Sequence, residues 1–292
     1  MVTLTKYGYH ELTNKPSQEE LNRYYSEKYY QNPDSQSYHK EYGPEELMYF
    51  NNKIEQKYQN LIVHDLVKEN QSYSLLDIGC GEGFALSFFK KLGWAVTGIE
   101  YTDYACNNFN PDCSKNIITG DVQQSLQELI DSGKKFHLIW LDNVLEHVLD
   151  PFLLLTQLSS ILEDNGALIV DVPNDFSPLQ ENALEKGFIN NQFWVAAPDH
   201  ISYFNKSGLC NVAAAAGWNT LNVLADFPID WFLYNEHSNY NKNKTVGKQA
   251  HYARVFIDNL MHENSVEKTN KLYEAMADLG MGRQLIGFFT KA

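Results

Sequence analysis

The chain has 292 residues, a formal net charge of −14, 43% hydrophobic and 21% charged residues. That composition is ordinary for a globular protein, so whole-chain disorder is excluded, and the length suits one enlarged domain or a core with an annex. A strongly acidic chain repels nucleic acid and anionic membrane surfaces, and with Arg23, Arg254 and Arg283 as its only arginines it does not read as a site built on an arginine cluster.

The N-terminal stretch has no apolar core of a signal peptide, and no run reaches the ~18 apolar residues of a membrane span. Cys80, Cys106, Cys113 and Cys210 lack a C-x-x-C spacing, which argues for a reducing, cytoplasmic setting without a disulfide framework. Residues 1–70 are polar and tyrosine-rich, and helical spacing emerges over 45–68 through Met48, Ile54, Tyr58, Leu61 and Leu66. Over 73–225 short apolar runs alternate with amphipathic segments. Strands are expected at 74–78, 95–99, 116–119, 136–141, 167–172 and 219–224. Helices are expected at 84–92, 103–109, 122–131, 151–162 and 207–216. Asp150 before Pro151 reads as a helix start and Gly217 as a stop. Such alternation implies an α/β fold, a doubly wound, mostly parallel sheet covered on both faces. Residues 226–281 break the pattern with an aromatic patch, a polar loop and helices at 250–263 and 266–279. A last apolar strand follows at 284–290. The expected organisation is therefore an N-terminal helical lid (1–70), a ligand-binding core (71–225), a helical insertion serving as substrate lid or dimer surface (226–281), and a closing strand (282–292).

The most informative segment is the strand ending in Asp77-Ile78, followed by Gly79-Cys80-Gly81-Glu82-Gly83 and then a helix. Glycines there let the backbone turn sharply and let a ligand approach, at the strand ends where open α/β sheets bind ligands. The spacing G-x-G-x-G is not the G-x-G-x-x-G of dinucleotide binders, which disfavours a nicotinamide oxidoreductase. Asp77 before the turn would repel a pyrophosphate and attract a cation. Glu100, 17 positions beyond Gly83 at the tip of the second strand, suits a pair of ribose hydroxyls.

In these residues the chain resembles the class I S-adenosylmethionine-dependent methyltransferases, over about 45–225. The resemblance implies a Rossmann-like seven-stranded sheet with its last strand antiparallel, and S-adenosyl-L-methionine as cofactor. Gly79, Cys80, Gly81 and Gly83 would pass under the methionine part, with Asp77 near its amino group. Glu100 would take the ribose and Tyr101 would pack on the adenine. Asp121 and Val122 would contact the adenine, although Asp121 equally reads as a helix cap. Asp142 and Asn143 would line the methionine end. The segment Glu146-His147-Val148-Leu149-Asp150-Pro151 is similar to the E-H-V-x-D-P signature of the small-molecule branch. Ubiquinone-biosynthesis O-methyltransferases carry E-x-x-E-H here, whereas this chain has Asn143 in place of the first carboxylate, so no metal is expected. His147 is either a base or a loop-holding residue. His200 and Tyr203, in a segment similar to an H-x-x-Y/F-F motif of one branch, are the other catalytic candidates. Tyr24, Tyr25, Tyr29, Tyr30, Tyr38 and Tyr42 are candidates for the lid. The expected function is methyl transfer to a small polar acceptor, with a sugar or glycan precursor as the narrower expectation. A catalytically silent cofactor-binding regulator is the alternative. The expected partners are a small-molecule acceptor and at most a second copy of the chain, as monomer or homodimer.

Overall fold

A computed structural model describes residues 1–28 and 41–292; Tyr29, Tyr30 and Tyr38 of the expected lid lie outside the described residues. The chain opens with β1 (Val2–Leu4) and β2 (His10–Leu12), then α1 (Gln18–Lys28) and α2 (Pro44–Val63). The alternating part runs β3 (Ser74–Ile78), α3 (Phe84–Lys91), β4 (Ala95–Glu100), α4 (Tyr104–Phe109), β5 (Ile117–Thr119), α5 (Val122–Asp131), β6 (Phe136–Asp142), α6 (Pro151–Ile161) and β7 (Leu162–Pro173). There follow α7 (Pro178–Glu185), β8 (Ser202–Tyr203), α8 (Lys206–Ala215), β9 (Trp218–Ala225), α9 (Gly247–Asn264), α10 (Val266–Asp278) and β10 (Gln284–Lys291).

Seven strands form one sheet in the order β5-β4-β3-β6-β7-β10-β9. Pairs β3–β4, β3–β6, β4–β5 and β6–β7 are parallel, and β10 is antiparallel to both its neighbours, as expected. From β3 the chain first winds outward to β4 and β5 and then returns to place β6 on the other side. The strand ends of β3 and β6 therefore flank the switch point where such sheets hold ligands. The sheet is buried on both faces. One layer packs Leu76, Ile78, Leu141 and Val170 under α5, α6 and α8, and the other packs Leu75, Leu138, Trp140 and Ile169 under α2 and α3.

Local signals hold where they had a mechanism. Asp150 Oδ1 accepts the Leu153 N–H (2.9 Å) at the start of α6, with Pro151 in its first turn. Gly217 lies at φ +90° after α8, a left-handed stop that a Cβ disfavours. The N-terminal segment departs from the helical expectation. Its first twelve residues form a β1–β2 hairpin, and β2 pairs with β8 in a second, three-stranded sheet. Here the strands take the Leu12 side chain into a cluster with Phe176, Trp194 and Tyr203. Between β9 and β10, α9 and α10 pack on α2 through paired polar side chains. Asn52 Nδ2 donates to Asn259 Oδ1 (3.0 Å), Asn270 Nδ2 to the Gln56 carbonyl (3.0 Å), and Lys53 pairs with Asp258 (2.6 Å). α2 and the insertion thus pack together on one face of the sheet, while Tyr9 of the hairpin joins the layer on the other.

Candidate functional site

The turn after β3 is built from backbone conformations that glycine alone adopts at low cost. Gly79, Gly81 and Gly83 have φ of +71°, +47° and +75°. A Cβ on Gly79 would stand 2.6 Å from Val144 Cγ2, and one on Gly83 2.7 Å from Cys106 Sγ, while one on Gly81 would meet nothing within 4 Å. Two of the glycines are therefore fixed by close packing, and the middle one faces open space.

That space is the junction of two cavities. Gly79, Gly81, Glu82 and Asn143 line both. The first cavity, about 730 Å³, continues past Glu100, Tyr101, Asp121, Val122 and His147. The second, about 370 Å³, lies under α2 and α9 against Lys53, Lys57, Asp77, Asp142, Asp171 and Arg254.

In the first cavity, Glu100 ends β4 with its carboxylate held from two sides. Oε2 accepts the Gly81 N–H (3.0 Å) and Oε1 the Tyr101 N–H (2.8 Å). These two backbone donors fix the orientation of the carboxylate at the cavity wall. Asp121 Oδ1 caps α5 at the Gln124 N–H (3.0 Å), and the residue lines the cavity. Burial, with Asp121 and Glu100 nearby, pushes the Tyr101 phenol up to about 12, so it stays neutral. Cys80 is buried, packs under the turn, and its thiol is held well above the ordinary range, first by burial and then by Asp77 and Glu100; it is inert.

In the second cavity, Lys57 reaches Asp142 Oδ2 and Asp171 Oδ2, each at 2.7 Å, and lies 4.7 Å over the Trp140 ring. Burial opposes its charge, but the two carboxylates outweigh that and hold the ammonium above the ordinary lysine value. Burial pushes the Asp171 carboxyl up to about 7, against the pull of Lys57, and its Oδ1 has no partner. Asp77 is also raised well above its usual value, by burial and then by Asp142 and Glu100. Asn143 has φ +55°, donates from Nδ2 to Asp142 Oδ1 (2.8 Å) and accepts from Gln284 Nε2 (3.1 Å). This ties β6 to β10 at the junction.

The catalytic candidates lie around the neighbouring loop. His147 lines the first cavity, and its Nδ1 is 2.7 Å from the Asp199 carbonyl, which can only accept; the proton is thus on Nδ1 and the lone pair on Nε2. His200 stacks edge-on at 4.9 Å, and burial, then His147, pulls its pKa down to about 3. Tyr203 donates to the His200 carbonyl (2.8 Å); burial pushes its phenol up to about 12. Neither His200 nor Tyr203 lines either cavity. Glu146, His147 and His200 bring ligand atoms within 4.8 Å of one another. Burial raises the Glu146 carboxyl well above its usual value and lowers both imidazoles.

Sequence reasoning missed Lys57, Asp171 and Asp226. Lys57 interrupts the apolar stripe Ile54, Tyr58, Leu61, and Asp171 interrupts the apolar run of β7, so a charge inside a buried pattern was the available signal.

Residues 50–223 match the family described as methyltransferase domain. Among curated relatives, ubiquinone biosynthesis O-methyltransferase of Rhodopseudomonas palustris (strain TIE-1) is 30% identical over 102 residues, 34% of this chain and 40% of that protein. The mitochondrial ubiquinone biosynthesis O-methyltransferase of Arabidopsis thaliana is 26% identical over 110 residues, 37% of this chain and 34% of that protein. The chain thus spans two fifths or less of these two relatives. Among solved structures, a SAM dependent methyltransferase from Archaeoglobus fulgidus superposes with a TM-score of 0.49 at 16% identity, covering 82% of this chain and 94% of that one.

Proposed function

The chain belongs to the methyltransferase-domain family, the class I S-adenosylmethionine-dependent methyltransferases, and on that premise we propose that it transfers a methyl group to a small polar acceptor. The observation that carries this reading is the pair of cavities meeting at Gly79, Gly81, Glu82 and Asn143. One is shaped for the cofactor's nucleoside and the other is left for an acceptor.

The residues present fit the cofactor. Glu100 faces the first cavity with two held oxygens for a ribose diol. Tyr101, Asp121 and Val122 lie beyond it for the adenine. The open face of Gly81 admits a chain passing to the second cavity, where Gly83 and Cys80 support the turn from behind. Asp77, Asp142 and Asn143 stand where the methionine end would lie, and their acidity favours a cationic cofactor over its neutral product. When bound, S-adenosylmethionine supplies an electrophilic methyl on its sulfonium. The protein's part is to align the acceptor in line with that bond and to exclude water. We assign exclusion to α2 and α9, which roof the second cavity.

For a hydroxyl acceptor a base takes the proton, a step worth about 10²–10⁴-fold. His147 in the first cavity and Asp171, with its unpartnered Oδ1, in the second are the candidate bases. His200 and Tyr203 support His147 through the ring stack and the backbone contact rather than by touching an acceptor. The polar second cavity favours turnover over a catalytically silent regulator; a sugar or glycan precursor remains the narrower proposal for the acceptor. With an amide at Asn143, methyl transfer should survive a chelator. The test is methyl transfer from labelled S-adenosylmethionine across a metabolite panel. Labelled product in wild type and none in Glu100→Ala supports the reading, and equal labelling in both contradicts it.

A further inference from the structure

Three cations line the second cavity: Lys53, Lys57 and Arg254. Lys57 is neutralised by Asp142 and Asp171, and Lys53 by Asp258 at 2.6 Å. Arg254, from α9, makes no ion pair among the described residues. Its Nη2 bonds to His251 Nδ1 (3.1 Å), and His251 Nε2 is 3.3 Å from Glu46 Oε1. The carboxylate can only accept, so Nε2 carries the proton and Nδ1 accepts from the guanidinium; the imidazole is a neutral partner. The Arg254 Nε is buried and has no partner. The Tyr49 ring lies 5.4 Å from the guanidinium carbon, which steadies the cation without neutralising it. Asp226, on the same cavity wall, uses Oδ1 to accept the Arg283 and Gln284 N–H groups (2.6 and 2.7 Å).

Asp226 and Asp258 act on the guanidinium only from a distance, without a direct ion pair, and a buried donor left unsatisfied points to a ligand that completes it. The planar fork of donors matches a carboxylate or a phosphate. Its position matters as much as its charge. Tyr49, Lys53 and Lys57 are spaced i, i+4, i+8 along α2, so the cavity runs about 12 Å beneath that helix. Arg254 stands beside Tyr49, and Lys57 with Asp142 stands next to Asn143.

We propose that the methyl acceptor carries an oxyanion, a carboxylate or a phosphate, which Arg254 holds in the second cavity beneath α9. This rests on the methyltransferase reading of the same site. An acceptor gripped there presents its nucleophile toward the Asp142–Asn143 rim. The insertion then selects the substrate as well as roofing the cleft.

The test uses the full chain saturated with S-adenosylhomocysteine. Inorganic phosphate and succinate are titrated calorimetrically at fixed ionic strength in chloride, for wild type, Arg254→Gln and Arg254→Lys. The proposal expects saturable binding of at least one anion to wild type. It expects loss of about 10- to 100-fold in Arg254→Gln, a smaller loss in Arg254→Lys, and an unchanged affinity for S-adenosylhomocysteine in all three. The tighter of the two anions tells a phosphorylated acceptor from a carboxylated one. Absence of saturable binding of both anions, or equal binding by wild type and Arg254→Gln, overturns the proposal. If Arg254→Gln does not fold, Arg254→Lys binding as tightly as wild type overturns it. Failure of wild type to bind S-adenosylhomocysteine would instead overturn the methyltransferase reading on which it rests.

Discussion

Replacing Lys57 with Met should expose how the cleft keeps its carboxylates together. The substitution removes a buried ammonium that is 4% exposed and leaves Asp171, 10% exposed, without its 2.7 Å partner. Breaking a buried pair by deleting one side costs about 3–5 kcal/mol, because the remaining charge is uncompensated. Asp142 is 37% exposed and adds little, since water screens it. The expected loss at pH 8 is therefore about 3 kcal/mol. The loss should depend on pH in a definite direction. Asp171 has a folded pKa raised to about 7, above its unfolded value near 3.9, so its protonation favours the folded state. Its contribution is fully present below about pH 4 and is lost as pH rises toward 7. At pH 5.5 the carboxyl is already largely protonated, and deleting Lys57 leaves a neutral group behind. The difference should shrink to about 1 kcal/mol. Urea unfolding of wild type and Lys57→Met at pH 8.0 and 5.5 measures both values. A loss under about 1 kcal/mol at pH 8, or the same loss at both pH values, would refute the reasoning.

Gly79→Ala should cost about 2–4 kcal/mol and abolish cofactor binding, because a side chain at φ +71° is strained and its Cβ would sit 2.6 Å from Val144; a thermal melt near that of wild type would contradict this. Glu100→Ala should weaken S-adenosylmethionine binding about 10- to 100-fold, since the carboxylate that the Gly81 and Tyr101 N–H groups orient would no longer accept from the ribose, as calorimetry would report. His200 has a folded pKa near 3 against about 6.5 unfolded, so its contribution is complete above pH 6.5 and erodes as the unfolded state gains a proton below it. His200→Gln should accordingly flatten the fall in stability between pH 6.5 and 5, where wild type loses about 2 kcal/mol on this account. Identical slopes for the two proteins would refute the neutral, buried assignment.

The sheet was legible because strand and helix periods alternate cleanly over residues 73–225, and because Asp77, the three glycines and Glu100 fall at strand ends that the pattern itself locates. The small elements were not. β1, β2 and β8 are two or three residues long, too short for a period, and they are strands because Leu12 and Tyr203 find a shared apolar cluster. α7 carried a readable start in Ser177-Pro178 with Gln180, whose side chains cap each other's N–H groups, yet its eight residues lack a clear apolar stripe. The second cavity was the harder case. Lys57 and Asp171 are 114 positions apart and meet only because α2 lies across the tip of β7. Arg254 joins them because α9 packs on α2, a pairing of polar side chains that hydrophobic periodicity does not register.

The first cavity's role is to take the nucleoside of S-adenosylmethionine, and the methyltransferase proposal depends on it. Calorimetric titration of the cofactor into the full chain, beside the Glu100→Ala variant, tests this most directly. Saturable binding at one cofactor per chain, weakened about 10- to 100-fold in the variant, is the predicted result. No heat from wild type at millimolar cofactor, or equal affinity in the two proteins, would contradict it.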